Sequence, residues 1–262
     1  MSAPPIFRYA ERRPDDELLP WIRNFWMFEV GAEAPPLHHV PPDGCTALVM
    51  HLTGPPGPGL LASGPWLAPL TVPVQPGDRF GGVRLQPGAA PILFGVSPVE
   101  LRNRAQLAAP MLGSIATDIE RALRAADEID TLAAEVGTVL ATHLREMRHP
   151  DQLVTHVAAR LAENGDLSPS VLARELAVSD RTLRRRFGAG TGISPKQFAR
   201  IRRFIKAAWG IADEERTWSE VAHGVGYADQ PHLNRDVTDL TGLTPGALRR
   251  RIRSTRHDDV MP

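Results

Sequence analysis

The residues best suited to bind a charged polymer lie between positions 179 and 206. This stretch holds nine basic side chains and a single acid, Asp180. The basic residues are Arg181, Arg184, Arg185, Arg186, Lys196, Arg200, Arg202, Arg203 and Lys206. Arginine can donate paired hydrogen bonds to guanine O6 and N7, and any basic group can neutralise a backbone phosphate. A solvated helix face usually alternates in charge sign, so this composition predicts binding to double-stranded DNA.

Spacing identifies the face of this stretch that meets the bases. Arg181, Arg184 and Arg185 stand three and four positions apart and share one side of a helix. Leu183 and Phe187 point to the opposite side, towards a core. A basic face with an apolar back is what a recognition helix requires. The DNA-binding set predicted on this helix is Ser179, Arg181, Thr182, Arg184 and Arg185.

The elements that hold these residues occur twice, at a fixed offset of 50 residues. Thr-Gly-Ile-Ser-Pro at 191–195 matches Thr-Gly-Leu-Thr-Pro at 241–245. The same offset aligns Ser179 with Asp229, Leu183 with Leu233 and Arg185 with Arg235. One supersecondary unit is therefore predicted to be present twice.

Each unit has the pattern of a helix, a short turn and a second helix. Val171–Ala177 and Trp218–His223 are predicted as the first helices, with Ser179 and Asp229 as the N-caps of the second ones. Two ordinary helical hairpins would give the same pattern. Between the units, Ser194-Pro195 predicts a helix to about Ile211, spanning about 25 Å, which can hold two recognition helices roughly one DNA turn apart.

The paired motifs resemble the C-terminal signature of AraC-type transcription regulators. The matching pieces are Val221–Tyr227, Leu233, Thr241–Pro245 and Arg249, preceded by Leu172-Ala173, Val178-Ser179, Leu183–Phe187 and Gly192–Pro195. The resemblance covers Leu153 to Ile252 and implies sequence-specific DNA binding and regulation of transcription. Carried over by position, the base-reading residues of the second helix are Gln230, Asn234 and Arg235, beside Arg181, Arg184 and Arg185 in the first.

The second unit departs from the family pattern. Leu233 and Val237 stand where Phe is frequent, and Pro231 replaces a residue that is often polar. Asp229 and Asp236 add negative charge, which favours a positioning role for the second helix. The basic residues Arg249, Arg250, Arg251 and Arg253 could contact phosphate or form a solvated face, and the sequence favours neither.

The first 110 residues differ in composition, since they contain 19 of the 25 prolines. Short strands are predicted at Thr46–Leu52, Gly82–Leu85 and Ile92–Val96, which favours a β-barrel or sandwich. From Ser114 the apolar spacing becomes helical, with a break at Asp127–Asp130 and an end at His149-Pro150.

Several pieces of this half also resemble the less-studied N-terminal domain of a subgroup of AraC-type regulators. They include Leu18, Trp21-Ile22, Phe25-Trp26, Pro41–Cys45, Ser63-Gly64, Gly82–Ala89 and Met111–Gly113. The resemblance implies a cupin-like barrel that senses a small molecule, followed by a helical dimer contact. The predicted ligand pocket is Trp26, Cys45, Met50, Trp66, Arg84 and Gln86. The predicted dimer contact is Ile129, Leu132, Val136 and Leu140.

Simpler roles compete for these pocket residues. For Trp26 a place in the core is favoured, since aromatic side chains dominate cores. Asp43-Gly44 is typical of a turn. Arg84 is as well suited to a structural ion pair with Glu29 or Asp78.

Other functional classes find little support in the sequence. Cys45 is the only cysteine, which excludes an internal disulfide, a thiolate zinc finger and a methyl-accepting centre built with zinc cysteines. The histidines before position 143 show no metal-ligand spacing, and no catalytic elbow or phosphate loop occurs. We therefore predict no metal, no cofactor and no enzymatic activity.

The net charge of zero hides a difference between the two parts of the chain. Residues 1–150 carry 12 basic and 16 acidic side chains, and residues 151–262 carry 18 and 14. Neither a signal peptide nor a membrane span is evident, so a cytoplasmic protein is expected.

These observations predict an α+β protein of bacterial type. The expected divisions are a β-rich sensor at 1–113, a helical dimerisation segment at 114–149, a DNA-binding domain at 150–254 and a tail at 255–262. The expected partners are double-stranded DNA, a small-molecule effector, RNA polymerase and a second copy of the chain. Two alternatives stay open, namely a ligand-independent regulator whose barrel only dimerises, and a small-molecule-binding or cupin-type enzyme with a basic anchor.

Overall fold

The N-terminal domain is built on a seven-stranded sheet and a separate two-stranded sheet. The computed structural model describes residues 6–53, 59–165, 167–213 and 216–258. Its strands are β1 (Phe7–Arg12), β2 (Ile22–Val30), β3 (Leu37–Val40), β4 (Ala47–His51), β5 (Leu61–Ser63), β6 (Leu70–Pro73), β7 (Arg79–Leu85), β8 (Ala105–Leu107) and β9 (Thr255–Asp258). The large sheet has the order β8-β5-β4-β7-β2-β1-β9, and β3 pairs with β6. The large sheet runs from β8 at one edge to β9 at the other, and together with the helices described below it confirms the α+β class.

The centre of the large sheet is packed around Trp26 and Gly82. Gly82 on β7 lies between β2 and β4. A Cβ atom there would lie 2.1 Å from the carbonyl oxygen of Leu48 and 3.0 Å from Cζ2 of Trp26. The missing side chain therefore lets the indole lie across the sheet.

Two of the three predicted strands are confirmed as β4 and β7, and the third is wrong. Ile92–Val96 was expected to be extended, whereas Ala90–Leu93 forms a short helix, α1. Pro91 stands at the start of this helix, where its fixed φ suits a helical turn. The turn buries Ala90 and Leu93 in the core.

Three further helices complete the N-terminal domain: α2 (Ala109–Leu112), α3 (Ser114–Ala125) and α4 (Ile129–Leu144). Leu132, Val136 and Leu140 on α4 are completely buried in the same core as Phe25. The predicted dimer contact is therefore wrong for these three residues, because their apolar stripe covers the protein's own sheet. Ile129 is partly exposed.

The C-terminal domain is entirely helical apart from its last strand. Its helices are α5 (Gln152–Glu163), α6 (Pro169–Glu175), α7 (Asp180–Thr191), α8 (Pro195–Ala212), α9 (Trp218–Gly224), α10 (Gln230–Thr241) and α11 (Pro245–Arg253). The two predicted units are α6-α7 and α9-α10. The joining helix α8 starts at Pro195 with Ser194 as its N-cap, as the sequence predicts. Ser194 and Gln197 also form a capping box.

The internal repeat is reproduced in hydrogen bonds. The hydroxyl of Thr191 donates to the carbonyl of Phe187 at 2.8 Å, and that of Thr241 donates to Val237 at 2.6 Å. The glycine after each threonine ends the helix in the left-handed conformation, with φ of 78° at Gly192. The two units therefore end their second helices in the same way.

The last described residues belong to the N-terminal sheet. Thr255–Asp258 pairs in parallel with β1, starting from Phe7 opposite Thr255. The expectation of a separate tail from residue 255 is therefore wrong for these four residues. The pairing brings the end of α11 against the N-terminal domain.

The burial of α4 leads to a stability prediction. Replacing Leu132 by Ala removes a fully buried side chain, so we expect the free energy of unfolding to fall by about 2–5 kcal/mol in urea denaturation. The neighbouring exposed substitution Thr131→Ala should change it by less than about 0.5 kcal/mol. A loss of dimerisation by Leu132→Ala with unchanged monomer stability would contradict this placement.

Candidate nucleic-acid interface and interdomain cavity

Helix α7 presents an exposed row of three arginines. Arg181, Arg184 and Arg185 are exposed, and none makes a hydrogen bond or ion pair within the described part of the chain. Ser179 caps the helix by accepting from the backbone N–H of Thr182 at 3.1 Å, and the two hydroxyls lie 2.9 Å apart. The arginines are thus held on a capped helix whose other side is core.

The remaining basic residues of this stretch are mostly structural. Arg186 holds Asp151 with Nε 2.8 Å from Oδ2, and this contact keeps the pKa of the Asp151 carboxyl below its usual value. Asp151 also caps α5 through the N–H of Leu153. Lys206 donates to the carbonyl of Glu163. Lys196 stays exposed, so the nine charges counted in the sequence overstate the free positive surface.

A buried carboxylate on α10 receives two arginines of α8. Asp236 is 4% exposed, and its Oδ1 lies 2.8 Å from Nε of Arg200. Arg203 approaches the other oxygen at 3.7 Å and stacks over the ring of Tyr227. Arg200 also bonds to Asp239 at 2.8 Å. Asp236 was expected to put negative charge on the DNA-facing helix, but it is neutralised inside the domain and fixes α10 against α8.

Helix α10, the predicted second recognition helix, offers fewer accessible groups than α7. Asp229 caps α10 by accepting from the N–H of His232 at 2.7 Å, as predicted. Arg235 is exposed and without a partner among the described residues. Gln230 and Asn234 are partly buried, and Oδ1 of Asn234 lacks a hydrogen-bond partner.

Two of the C-terminal arginines have structural contacts that the sequence did not reveal. Nε of Arg249 donates to the carbonyl of Ile211 at 2.6 Å, and its guanidinium stacks on Trp218. Arg249 therefore covers the end of α8 instead of extending towards phosphate. Arg251 contacts His38 and lies over the ring of Phe7. Arg250 is exposed.

A cavity of about 560 Å³ lies between the sheet and the C-terminal helices. Five of the six residues predicted for a ligand pocket line it, namely Trp26, Cys45, Met50, Trp66 and Arg84. Gln86 does not line the cavity, and its side chain lies 3.4 Å from the carbonyl of Ile22. Helices α8 and α11 supply the opposite wall, so the cavity belongs to both domains and not to the N-terminal domain alone.

Arg84 is the centre of a polar network at the cavity wall. It bonds to Glu11 at 2.9 Å, to Asp43 at 2.7 Å and to the hydroxyl of Tyr9. Arg84 does form a structural ion pair, but its partners are Glu11 and Asp43 and not the predicted Glu29 or Asp78. Burial raises the pKa of Tyr9 and of the Cys45 thiol, so both stay protonated at neutral pH.

The sequence did not identify Arg202 as a cavity residue. Arg202 is 7% exposed, and its Nε is buried without a hydrogen-bond partner. Burial and the neighbouring Arg23 lower its pKa to about 10. Arg202 stands four residues after Phe198, on the apolar side of α8. This spacing is the sequence signal that distinguishes it from the exposed arginines.

His38 also lines the cavity, and it joins the two domains. Its Nδ1 lies 2.8 Å from Nη2 of Arg251, and its ring packs on Phe7 and Phe28. Burial and the charge of Arg251 lower the pKa of His38 to about 3. The neutral imidazole accepts the hydrogen bond from the arginine.

Among the described residues, no group of three or more His, Cys, Asp or Glu side chains is arranged to hold a metal ion. No helix in these residues is both long and apolar enough to cross a membrane.

Comparisons with known proteins agree with this geometry. A family model described as "Helix-turn-helix domain" matches residues 172–251, and "Domain of unknown function (DUF6597)" matches residues 10–106. No curated protein matches the chain.

Two solved structures are similar to all or part of this chain. A single-substitution variant of apo ToxT from Vibrio cholerae is 6% identical, with a TM-score of 0.51 over 90% of this chain and 97% of that one. The C-terminal domain of AraT, a response regulator from Geobacillus stearothermophilus, is 26% identical with a TM-score of 0.37, covering 38% of this chain and 85% of that one. The first of these similarities concerns the fold alone.

The fold and the family match together define the C-terminal domain as a DNA-binding domain of the helix-turn-helix class. More particularly, residues 172–251 are a helix-turn-helix domain of the AraC type, the type found in transcription regulators.

The contact between His38 and Arg251 leads to a prediction about pH. The folded-state pKa of about 3 lies below the usual value of 6.5, so the unfolded chain binds this proton first as the pH falls. Stability should therefore be lost between pH 6.5 and pH 3. When the pH is lowered from 7 to 5, the free energy of unfolding measured in urea melts should fall less for His38→Leu than for the wild type. The expected difference is up to about 2 kcal/mol. Equal losses in both proteins would contradict the buried neutral imidazole.

Proposed function

We propose that this protein is a sequence-specific transcription regulator that reads DNA with helices α7 and α10. The observation that carries the proposal is the row formed by Arg181, Arg184 and Arg185. These exposed side chains have no partners among the residues that the structure describes, whereas Arg186, Arg200 and Arg203 in the same stretch do. Unpaired guanidinium groups on a rigid helix are available for guanine and phosphate.

The geometry of α8 supports reading by both units of one chain. The helix has 18 residues and so spans about 27 Å. Asp236 fixes α10 against it through Arg200 and Arg203, and Ser194 caps its start directly after α7. Recognition helices held by such a spacer suit successive major-groove segments about 34 Å apart.

The cavity supports modulation by a small molecule. Its volume of about 560 Å³ lies within the range of pockets that bind small ligands, and both domains contribute walls. A ligand that binds better to one arrangement of the domains would shift their equilibrium towards that arrangement. This observation favours an effector-controlled regulator over one whose N-terminal domain only dimerises. A homodimer and a contact with RNA polymerase stay predictions.

The binding mode is tested first by selecting duplexes from a random pool with the full-length protein. Repeating the binding at about 50 and about 200 mM salt should show a steep salt dependence. We expect an enriched motif with two elements about 10 base pairs apart. Salt-dependent binding without any enriched sequence would contradict a sequence-specific reader.

On the selected duplex, Arg185→Ala should weaken binding by about 1–3 kcal/mol and relax the preference at one base position. The matched control is Arg121→Ala, since Arg121 is an exposed arginine on α3 in the N-terminal domain. Gel-shift titrations on the selected and on scrambled duplexes separate a loss of base preference from a general loss of affinity. The same loss on both duplexes would make Arg185 a phosphate contact and not a base reader.

A further inference from the structure

One end of the interdomain cavity contains two arginines without a carboxylate partner. Arg202 enters from α8 and forms no hydrogen bond or ion pair within the described part of the chain. Arg23 enters from β2, with Nη1 3.7 Å from the sulfur of Cys45. The two guanidinium groups are close enough for Arg23 to disfavour the charge on Arg202. A buried cation without an ion-pair partner is costly, so Arg202, with the half-buried Arg23 beside it, calls for an anion.

The carboxylates that lie near this pair are already in use. Both oxygens of Asp43 are engaged, one by Nε of Arg84 at 2.7 Å and one by the N–H of Cys45 at 2.9 Å. Glu11 accepts from Arg84 at 2.9 Å and from the hydroxyl of Tyr9 at 2.6 Å. These two acids therefore balance Arg84 first and leave excess positive charge at Arg23 and Arg202.

The rest of the cavity wall is mainly apolar. On the sheet side the wall is formed by Trp26, Phe28 and Met50. On the opposite side it is formed by Phe204, Trp209 and Leu243. Nε1 of Trp26 is a further buried donor without a hydrogen-bond partner among the described residues. The cavity thus combines unpaired donors with an apolar body of small-molecule size.

We propose that the cavity binds an organic acid with an apolar body, whose carboxylate is held by Arg202 and Arg23. The proposal rests on the proposed function and gives the chemical class of its effector. A carboxylate accepts charge-assisted hydrogen bonds from both guanidinium groups, and the aliphatic or aromatic part replaces water along the apolar walls.

Arg202 connects the ligand to the DNA-reading part of the protein. It is adjacent in sequence to Arg203, which approaches Asp236 of α10, and one turn of helix separates it from Phe198 in the domain core. A ligand held by Arg23 and Arg202 links the sheet to the helix on which both recognition units are mounted. The ligand is therefore expected to change DNA binding through the placement of α8 relative to the sheet.

The test measures ligand binding to the full-length protein without DNA, by isothermal titration calorimetry. The probes are two acids, decanoate and 4-phenylbutyrate, each compared with the alcohol of the same carbon skeleton. At least one acid should bind, and at least tenfold more tightly than its alcohol. Binding of neither acid, or equal binding of acid and alcohol, would overturn the proposal.

Three variants locate the carboxylate. Arg202→Met should abolish the preference for the acid while leaving the affinity for the alcohol within about twofold, and Arg202→Lys should keep part of the preference. Lys196→Met removes an exposed charge from the same helix and should leave both affinities unchanged. In the absence of ligand, Arg202→Met should raise the melting temperature, since it removes a buried unpaired charge. An undiminished preference in Arg202→Met would place the acid elsewhere.

The outcome for the ligand is separable from the outcome for DNA. Binding of the acid with no sequence-selective DNA binding would leave the ligand class intact and remove the proposed function. Sequence-selective DNA binding without any acid binding would leave the proposed function intact and remove the ligand class.

Discussion

The ion pair between the buried Asp236 and the arginines of α8 is the constraint on which the DNA-reading geometry depends. Asp236 lies inside the domain at 4% exposure, where an unpaired carboxylate would be costly. Arg200 and Arg203 both reach it from α8, and Arg200 extends to Asp239 one turn further on. Without Arg200, the buried carboxylate would keep only the 3.7 Å contact with Arg203. The second recognition helix is thereby tied to the helix that follows the first.

Helix α8 separates its functions by face. Arg200 and Arg203 hold the second unit, while Phe198, Ile201 and Phe204 fill the core. Arg202 turns towards the sheet and borders the cavity together with Arg23 of the N-terminal domain. One helix therefore contacts both proposed recognition helices and the cavity. In the proposed function, it gives a direct route by which an occupied cavity would change DNA binding.

The sequence was sufficient for the local features of the fold and of the candidate site. Caps such as Ser179 and Asp229 depend on residues three positions away, and the repeat at an offset of 50 was visible as a pair of similar motifs. Long-range pairing was not visible, because Arg186 finds Asp151 across 35 positions and Arg200 finds Asp236 across 36. The apolar stripe of α4 was correctly recognised, but its pattern did not say whether a sheet or a second copy covers it. The same limit concealed Arg202, whose burial depends on a domain far away in sequence.

Hydroxyl-radical footprinting on a selected duplex tests the central claim, that one chain holds two readers in fixed register along one face of DNA. The account predicts two protected segments on the same face, with centres about 10 base pairs apart, under conditions where the protein is monomeric. An Asp236→Asn variant should lose or blur the second segment while it keeps the first. A single protected segment in the wild type, or two segments with variable separation, would contradict a rigid pair of recognition helices.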